Sequence, residues 1–488
     1  MIAVLLILIP FVFGIVSFFV RHNVARRILI VACAGFHLGL SCIAWFWNLR
    51  EFFSGWIALD DMGMVFLTTM SILFFGSAIY GVRYLSDENS PLQKENKEQG
   101  FFSQEAIFSG CLLLFLSTMT IVVSTQQLAI LWVGIEATTL ASAPLIYFHR
   151  TRRSLEAMWK YLLICSVGIA IALLGIFFMA AANDNQGGLL LSGLLENAKE
   201  LNIAWLKAAF LLLFVGYGTK IGLAPLHTWL PDAHSEAPSV VSALLSGALL
   251  NCAFLGILRI YQVCVAAGLR EFCQEIFVFF GLLSIVFAAV FILGQTDYKR
   301  MLAYSSVEHM GIITLGFGLG GTAIFGAMIN MLGHSLTKAG LFFVAGNILS
   351  YFRTKKIDDV SGLMSAKTRA SGALWITGFL LITGMPPSAI FLGKLMILKE
   401  VLFQGRYWTG VFFLSALALI FIGMTRIFVS MTQGCPIQGN ARKGFGEKIS
   451  FLRHIIPMIF FIFVIGIGFY FPECLTRAIE EIAKALGE

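Results

Sequence analysis

A lysine follows directly on a long apolar stretch near the middle of this chain, and two prolines come soon after it. The stretch Ala208–Val215 is apolar, Lys220 follows it, and Pro225 and Pro231 lie within the next dozen residues. A lysine at the centre of a membrane helix costs about 2.5–3.5 kcal/mol on insertion scales, so such a charge is generally retained for a function. Because proline interrupts a helix, the segment predicts a buried charge beside a broken helix, an arrangement typical of an ion pathway.

Two other ionisable residues lie in the apolar segments that precede Lys220. Glu136 lies in the middle of such a segment, where we expect a paired or protonated carboxyl group, because an isolated charge is too costly there. Lys160 follows Glu156 by four residues, so the two side chains can pair along one helix face. Taken alone, Lys160 fits an interfacial lysine equally well.

Further ionisable residues follow in later apolar segments. Glu308 and His309 are adjacent, so on a helix they face different neighbours. His334 and Lys338 are four residues apart and share one face. A row of acids, bases and histidines across several helices suits stepwise proton transfer. Its members are Glu136, Lys220, His309, His334, Lys338 and Lys394.

A second break is predicted at Gly384–Pro387, shortly before Lys394. Paired interrupted helices indicate an internally repeated transporter, which we predict to contain two inverted five-helix repeats. At the first break, His227 and His234 are seven residues apart with prolines close by, a spacing that matches no metal-site template. These histidines either cap helix ends or relay protons.

The composition is that of a membrane protein. Hydrophobic residues make up 58% of the chain and charged residues 12%, and the mean hydropathy is +0.86. Such a composition lies outside the range of soluble globular proteins. Nine cysteines occur singly, without a Cys-x-x-Cys pair, which argues against iron–sulfur and zinc sites and against a disulfide framework. We expect no cofactor in this chain, and we attribute the net charge of +7 to loop orientation and not to nucleic-acid binding.

Apolar runs of about twenty residues, the length that spans a bilayer, predict an all-α, polytopic membrane protein of about fourteen transmembrane helices. Segments seven and twelve are the broken ones. The predicted segments are 2–20, 28–47, 62–82, 106–124, 127–148, 157–182, 204–226, 237–263, 273–294, 301–319, 322–349, 371–398, 407–432 and 454–471. The predicted divisions are 1–105 for the first three helices, 106–265 and 266–432 for the two repeats, and 433–488 for the last helix and a short tail.

Basic residues are concentrated in the connections that follow odd-numbered segments. Examples are Arg150, Arg152 and Arg153 after the fifth segment and Lys299 and Arg300 after the ninth. Because basic loops remain in the cytoplasm, the distribution predicts a multi-pass protein of the cell (inner) membrane with both termini on the outer, periplasmic side.

Several motifs resemble the antiporter-like membrane subunit family. That family includes proton-pumping subunits of respiratory complex I, large Mrp antiporter subunits and membrane subunits of energy-converting hydrogenases. The similarity is strongest in Leu223–His234, with support from Asp297–Ser306 and His334–Ala339, and it covers roughly 107–432. Within the family, Ser306–Gly311 and the short C-terminus are most similar to hydrogenase-4 component F.

The resemblance implies roles for single residues. Glu136 and Lys220 match the family's segment-five glutamate and segment-seven lysine, and Lys160 matches the lysine that tunes that glutamate. Lys394 matches the lysine that exchanges protons with the outside. His309 and His334 match histidines of the central axis.

Asn251 is a departure from the family pattern, since several relatives carry a lysine at this position. A neutral amide can hold water but cannot carry charge between Lys220 and the eleventh segment. Translocation would then depend on His309, His334 and Lys338, or the coupling would be weaker.

The expected function is that of a proton-translocating subunit in a multisubunit redox complex of the hydrogenase-4, formate hydrogenlyase or complex I type. The chain carries no nucleotide-binding or cluster motif, so redox chemistry is assigned to partner subunits. The expected partners are other membrane subunits, a soluble redox arm, the lipid bilayer and protons, with sodium as an open possibility. Two alternatives are a subunit of a Mrp-like cation/proton antiporter and a non-pumping membrane anchor.

Overall fold

The computed structural model describes residues 2–46, 55–88, 103–184, 188–365, 367–434 and 452–487. In these ranges the chain forms nineteen α-helices, and β-structure is limited to isolated bridges. The helices of the first half are α1 (Ile2–Phe19), α2 (Asn23–Ala44), α3 (Asp61–Glu88), α4 (Gln104–Ser124), α5 (Leu128–Ile146), α6 (Arg152–Ala182), α7 (Leu191–Glu196), α8 (Ile203–Ile221), α9 (Trp229–Glu236) and α10 (Ser239–Leu244). Those of the second half are α11 (Leu250–Ala266), α12 (Arg270–Leu293), α13 (Tyr298–Leu319), α14 (Thr322–Phe352), α15 (Arg369–Thr383), α16 (Ala389–Phe403), α17 (Tyr407–Thr432), α18 (Leu452–Phe469) and α19 (Glu473–Ala485).

The predicted all-α, multi-pass membrane fold is confirmed. In the described part of the chain, eleven helices are long and apolar enough to cross a membrane. The helices α13 and α14 are not among them, and the twelfth predicted segment is divided into α15 and α16. The total of fourteen spans therefore stays a prediction, as do the two inverted repeats.

Both predicted helix breaks are confirmed. The helix α8 ends at Ile221, Gly222 has a φ of +81°, and α9 does not begin until Trp229. The helix α15 ends at Thr383, Gly384 has a φ of +84°, and α16 follows from Ala389. A further irregularity is the π-helical turn Leu245–Leu249 between α10 and α11. Each break leaves carbonyl groups at a helix end without an intrahelical partner.

The helices divide into two compact units. The first comprises residues 1–221, 248–273 and 477–488, and the second comprises 222–247 and 274–476. Small residues allow close helix packing in each. In the first unit, a Cβ on Gly216 of α8 would lie 2.6 Å from the carbonyl oxygen of Gly168 on α6. In the second unit, a Cβ on Gly393 of α16 would lie 2.6 Å from the carbonyl oxygen of Gly326 on α14.

Candidate functional site

Lys220 lies one residue before the end of α8 and is fully enclosed in protein. Its ammonium donates hydrogen bonds to Oγ1 of Thr139 on α5, at 2.7 Å, and to the hydroxyl of Tyr161 on α6, at 2.6 Å. It also lies 4.6 Å from the centre of the Tyr161 ring. Among the residues that the structure describes, no carboxylate forms an ion pair with Lys220. Two neutral hydroxyl groups and a ring therefore stabilise this buried charge.

Glu136 is connected to Lys220 through a single hydroxyl group. Thr139, which accepts from Lys220, lies 3.3 Å from the Glu136 carboxylate, to which it can donate. The hydroxyl of Ser166 donates to the other oxygen of Glu136 at 3.0 Å. On the far side of Lys220, the Tyr161 hydroxyl lies 2.7 Å from that of Ser142. The first unit thus holds a connected chain of hydrogen-bonding groups that contains the carboxyl group of Glu136 and the amine of Lys220.

Lys160 lies outside this chain of groups. Its side chain is 46% exposed and forms the expected ion pair with Glu156, at 2.7 Å. The residue that reaches Lys220 is the neighbouring Tyr161, because adjacent helical residues point about 100° apart. The sequence does contain a signal that Tyr161 faces inward. Ala157, Tyr161 and Cys165 are spaced four residues apart and share the buried face of α6. That Lys160 tunes Glu136 stays a prediction.

In the second unit, Lys394 forms an ion pair with Glu308, a residue that the sequence did not single out for proton transfer. The Lys394 ammonium lies 3.0 Å from the Glu308 carboxylate, which is buried. It also donates to the carbonyl of Thr383, the last residue of α15, at 3.3 Å. The unpaired carbonyls at a helix C-terminus carry partial negative charge and stabilise a cation. The break after α15 therefore creates part of the Lys394 site.

His309 follows Glu308 directly in sequence, and His309, His334 and Lys338 are all fully buried in the same unit as the ion pair. The rings of His309 and His334 stack at 4.7 Å, and Nε2 of His309 lies 3.1 Å from the carbonyl oxygen of Ile382 in α15. Glu308 and His309 thus have different neighbours, as predicted. Lys338 donates to the carbonyl oxygen of Leu302 and to the hydroxyl of Ser305, both on α13.

The two histidines near the first break pack against aromatic rings. The ring of His227 contacts Phe287, Phe291 and Tyr304 edge-on, and His234 stacks on Phe342 at 5.1 Å. Neither ring nitrogen of His234 has a hydrogen-bond partner among the described residues. His234 therefore caps no helix end in this structure.

Asn330 is a further buried polar group that sequence reasoning missed. It precedes His334 by four residues on α14, so Asn330, His334 and Lys338 lie along one helix face. Neither polar atom of the Asn330 side chain has a partner among the described residues. The four-residue spacing is the sequence signal that would have found it. Asn251, by contrast, lies in the first unit, where it is buried on α11.

A second cluster that the sequence did not predict surrounds the C-terminal end of α9. Lys299, buried at the start of α13, donates to the carbonyl oxygens of Ala237, at 2.6 Å, and Ser235. Lys355 forms an ion pair with Glu236 at 2.7 Å. Both ammonium groups lie at the C-terminal end of α9, where the last carbonyl groups lack intrahelical partners. The cluster therefore fixes the position of the short helix that carries His234.

Comparison with known proteins places these residues in a defined family. Residues 125–420 match the family model described as NADH:quinone oxidoreductase/Mrp antiporter, TM. A hydrogenase-4 component F homolog of Methylacidiphilum infernorum is 36% identical over 351 residues, which cover 70% of this chain and 72% of that protein. NADH-quinone oxidoreductase subunit N of Desulforudis audaxviator is 30% identical over 436 residues, which cover 86% and 83% of the two chains.

Three solved structures illustrate the shared fold. A chain of the membrane-bound sulfane sulfur reductase, an archaeal respiratory membrane complex, aligns with a TM-score of 0.84 at 20% identity and covers 99% of each chain. A chain of the Mrp complex from Dietzia sp. aligns with a TM-score of 0.84 at 17% identity, over 99% of this chain and 96% of that one. A chain of respiratory complex I from Thermus thermophilus aligns with a TM-score of 0.81 at 21% identity over the full length of both. At these identities the similarity shows the fold alone.

Proposed function

Because the chain belongs to the transmembrane family of NADH:quinone oxidoreductase and Mrp antiporter subunits, we propose that it translocates protons as one subunit of a multisubunit redox complex. The names of its relatives, a hydrogenase-4 component and a quinone oxidoreductase subunit, support a complex of one of these two kinds. Electron transfer is assigned to partner subunits. The contribution of this chain is a set of buried groups that can hold and pass a proton.

The observation that carries the proposal is the environment of Lys220. An enclosed ammonium costs several kcal/mol when it is unpaired, and here its hydrogen-bond partners are the hydroxyls of Thr139 and Tyr161. A hydroxyl both donates and accepts, so the same partners serve the charged and the neutral amine. The carboxylate of Glu136 is reached only through Thr139. This arrangement suits a lysine that changes its protonation state during turnover.

The second unit supplies the groups for further transfer. His309 on α13 stacks on His334 of the adjacent helix α14, which also carries Lys338. Lys394 lies on α16, which follows the second break. Buried polar atoms without a protein partner, such as those of His234 and Asn330, are satisfied in proteins by bound water. We propose that water connects these groups and that Lys394, about one tenth exposed, releases the proton.

The proposed orientation follows the basic connections. The connection between α5 and α6 contains Arg150, and α6 begins with Arg152 and Arg153. These residues, together with Lys355 and Lys356 after α14, are assigned to the cytoplasmic side. The short connection between α11 and α12 and the helix α19 are then assigned to the outer side. Outward release through Lys394 is part of the same proposal.

The test uses inverted membrane vesicles that contain the complete complex. Hydrogen or NADH is supplied as electron donor, and interior acidification is followed with a pH-sensitive dye beside native-gel analysis of assembly. Lys220→Met is expected to abolish acidification while the complex assembles and donor oxidation continues. The matched control is Lys207→Met on the same helix. Lys207 lies over the ring of Phe272 and outside the chain of hydrogen-bonding groups that contains Lys220. Acidification by Lys220→Met at the wild-type rate would refute the role of this lysine.

The same vesicles distinguish the two alternatives. A Mrp-like antiporter would change the interior pH after a sodium pulse without any electron donor. A membrane anchor would support donor oxidation in wild-type vesicles without acidification. We expect donor-dependent acidification and no response to the sodium pulse alone.

A further inference from the structure

Glu400, close to the end of α16, is a buried acidic residue whose hydrogen-bond partners carry no charge. In the part of the chain that the structure describes, the buried acidic residues are Glu105, Glu308 and Glu400. Glu105 forms an ion pair with Arg27, and Glu308 forms one with Lys394. Glu400 has no basic partner among the described residues. Because an unpaired charge is costly to bury, an acid at this position calls for a role other than ion pairing.

The carboxyl group of Glu400 lies where three helix ends meet. Thr322, the first residue of α14, donates to its Oε2 from the side-chain hydroxyl at 2.7 Å and from the backbone N–H at 3.1 Å. Nε2 of Gln404 donates to its Oε1 at 3.0 Å and to the carbonyl oxygen of Leu319, the last residue of α13, at 2.6 Å. The backbone of Gly321 approaches so closely that an added Cβ would lie 2.9 Å from Cδ of Glu400. All of these residues belong to the second unit.

These contacts serve both protonation states of the carboxyl group. The hydroxyl of Thr322 donates to a carboxylate and can accept from a carboxylic acid, because a hydroxyl group has both capacities. The N–H groups at the start of α14 point towards the carboxyl group and stabilise the carboxylate after a proton has left. The surroundings therefore need little rearrangement when Glu400 gains or loses a proton.

Glu400 lies on the same helix as Lys394, closer to the end of that helix. The two residues are six positions apart on α16, which corresponds to a rise of about 9 Å. The helix runs from the second break towards the connection between α16 and α17. In the orientation proposed above, this connection and the one between α13 and α14 both lie on the outer side. Glu400 is therefore placed between Lys394 and the outer aqueous phase.

We propose that Glu400 accepts the proton that Lys394 gives up and transfers it to water on the outer side. The inference rests on the proposed function and on the role of Lys394 in it. In the first step the ammonium of Lys394 becomes a neutral amine and the carboxylate of Glu400 becomes a carboxylic acid. In the second step the acid returns the proton to water and becomes a carboxylate again, and no electrons are transferred. The remaining gap between the two long side chains is bridged by water.

A purely structural role for Glu400, as the cap of α14, makes the opposite prediction for two substitutions. Glu400→Gln keeps the length of the side chain and an oxygen that accepts from Thr322, but it cannot carry a proton. Glu400→Asp keeps an ionisable carboxyl group, but it is one methylene shorter and reaches Thr322 less well. A proton acceptor is therefore damaged more by glutamine, whereas a cap is damaged more by aspartate.

The experiment compares both variants in inverted vesicles that contain the complete complex. Interior acidification is measured per donor oxidised, together with the thermal midpoint and native-gel assembly. We expect Glu400→Gln to lose most of the acidification at an unchanged thermal midpoint, and Glu400→Asp to retain more acidification at a lowered midpoint. The matched control is Glu275→Gln, because Glu275 is an exposed acid at the start of α12 that pairs with Arg406. This control should acidify like the wild type.

Three results would overturn the role of Glu400. The first is acidification by Glu400→Gln at the wild-type rate, and the second is a greater loss of acidification in Glu400→Asp than in Glu400→Gln. The third is a loss of acidification in Glu400→Gln that is accompanied by a fall in thermal midpoint or in assembly, which assigns only the cap to this residue. Each of these leaves proton translocation by the wild type intact. Wild-type vesicles that oxidise the donor without acidification would instead overturn the proposed function, and the role of Glu400 with it.

Discussion

Three buried lysines are stabilised in three different ways. Lys220 donates to two hydroxyl groups, Lys338 donates to a hydroxyl and a backbone carbonyl, and Lys394 combines a carboxylate with a carbonyl at a helix end. A direct carboxylate partner favours the charged amine most strongly, because it adds Coulomb energy in a medium of low dielectric constant. The three ammonium groups therefore differ in whether a carboxylate, a carbonyl or only hydroxyl groups lie in direct contact with them.

Thr139 is the residue whose hydroxyl joins Lys220 to Glu136. We predict that Thr139→Val, which removes the hydroxyl and keeps the shape, lowers donor-driven acidification about tenfold, equivalent to about 1.4 kcal/mol in the barrier. Vesicle acidification normalised to donor oxidation measures the effect. Thr138→Val is the control, because the Thr138 hydroxyl donates to the carbonyl of Ile135 on its own helix. Equal rates for the two variants would exclude a relay through Thr139.

Glu308 and Lys394 are predicted to be coupled in stability and in transport. Lys394→Met leaves a buried carboxylate without its partner, which costs about 3–5 kcal/mol, whereas Glu308→Gln/Lys394→Met removes both charges. We expect the double variant to recover most of the lost thermal midpoint while acidification stays absent in both. The control Lys399→Met alters an exposed lysine on the same helix. Additive losses of stability in the double variant would show that the two residues are not coupled.

The two breaks determine where the lysines lie along their helices. Lys220 immediately precedes the first break, and Lys394 lies just over one turn into the helix that follows the second. A straight helix would satisfy the carbonyls of Ile382 and Thr383 internally, whereas the break leaves them to accept from His309 and Lys394. Broken helices at membrane depth are tolerated where the freed groups find protein or water. The breaks therefore help to form the surroundings of these two lysines.

Gly384 allows a test of the second break. Its φ of +84° is unfavourable for alanine, and an added Cβ would lie 3.2 Å from Cδ of Lys394. We predict that Gly384→Ala costs about 1–3 kcal/mol in strain and displaces the Lys394 side chain, so that acidification falls several-fold. The control is Gly405→Ala, which has a φ of +69° but no atom within 4 Å of the added Cβ. If both variants lose acidification to the same extent, backbone strain alone explains the result.

In the first unit, an ion pair connects Asp60, which precedes α3, with Arg259 of α11. The two residues are 199 positions apart in sequence. The Arg259 side chain is only 1% exposed, while that of Asp60 is 38% exposed. The guanidinium donates to both carboxylate oxygens, and the N–H of Gly63 donates to one of them at 2.9 Å. This pair connects the N-terminal helices to the helix that carries Asn251.

We predict a pH-dependent contribution of Asp60 to stability. Burial raises the pKa of Asp60, but the charge and hydrogen bonds of Arg259 and the N–H of Gly63 outweigh burial and hold this pKa below its usual value. The contribution is therefore complete above the unfolded pKa of about 3.9 and is lost as the pH falls through the lower folded value. Asp60→Asn should lower the thermal midpoint at pH 7. We expect the free energy of unfolding to fall by about 1–3 kcal/mol, less than for a fully buried pair, because the carboxylate is partly exposed.

The measurement is the thermal midpoint of the solubilised complex between pH 7 and pH 3. The gap between wild type and Asp60→Asn should narrow as the pH falls, because the wild-type carboxylate becomes protonated. Asp61→Asn serves as the control, since Asp61 is exposed and adjacent in sequence. A gap that stays constant over this range would show that the ion pair does not stabilise the protein.

The sequence by itself determined the fold class, the two broken helices and most of the buried ionisable residues. Long apolar runs can be satisfied in a bilayer only as helices. Proline and a glycine with positive φ end a helix through local backbone geometry. Lys220, His334 and Lys394 were found because a charge within an apolar run is costly and therefore conspicuous. These properties are local, so they can be read from neighbouring residues in the chain.

Only the tertiary structure decided which groups meet. Consecutive side chains on a helix point about 100° apart. On α6, Lys160 therefore lies on the exposed side, whereas the next residue, Tyr161, contacts Lys220. The pairing of Glu308 with Lys394 joins residues 86 positions apart. Partners of this kind are selected by helix packing over long sequence separations, and apolar periodicity carries no information about that packing.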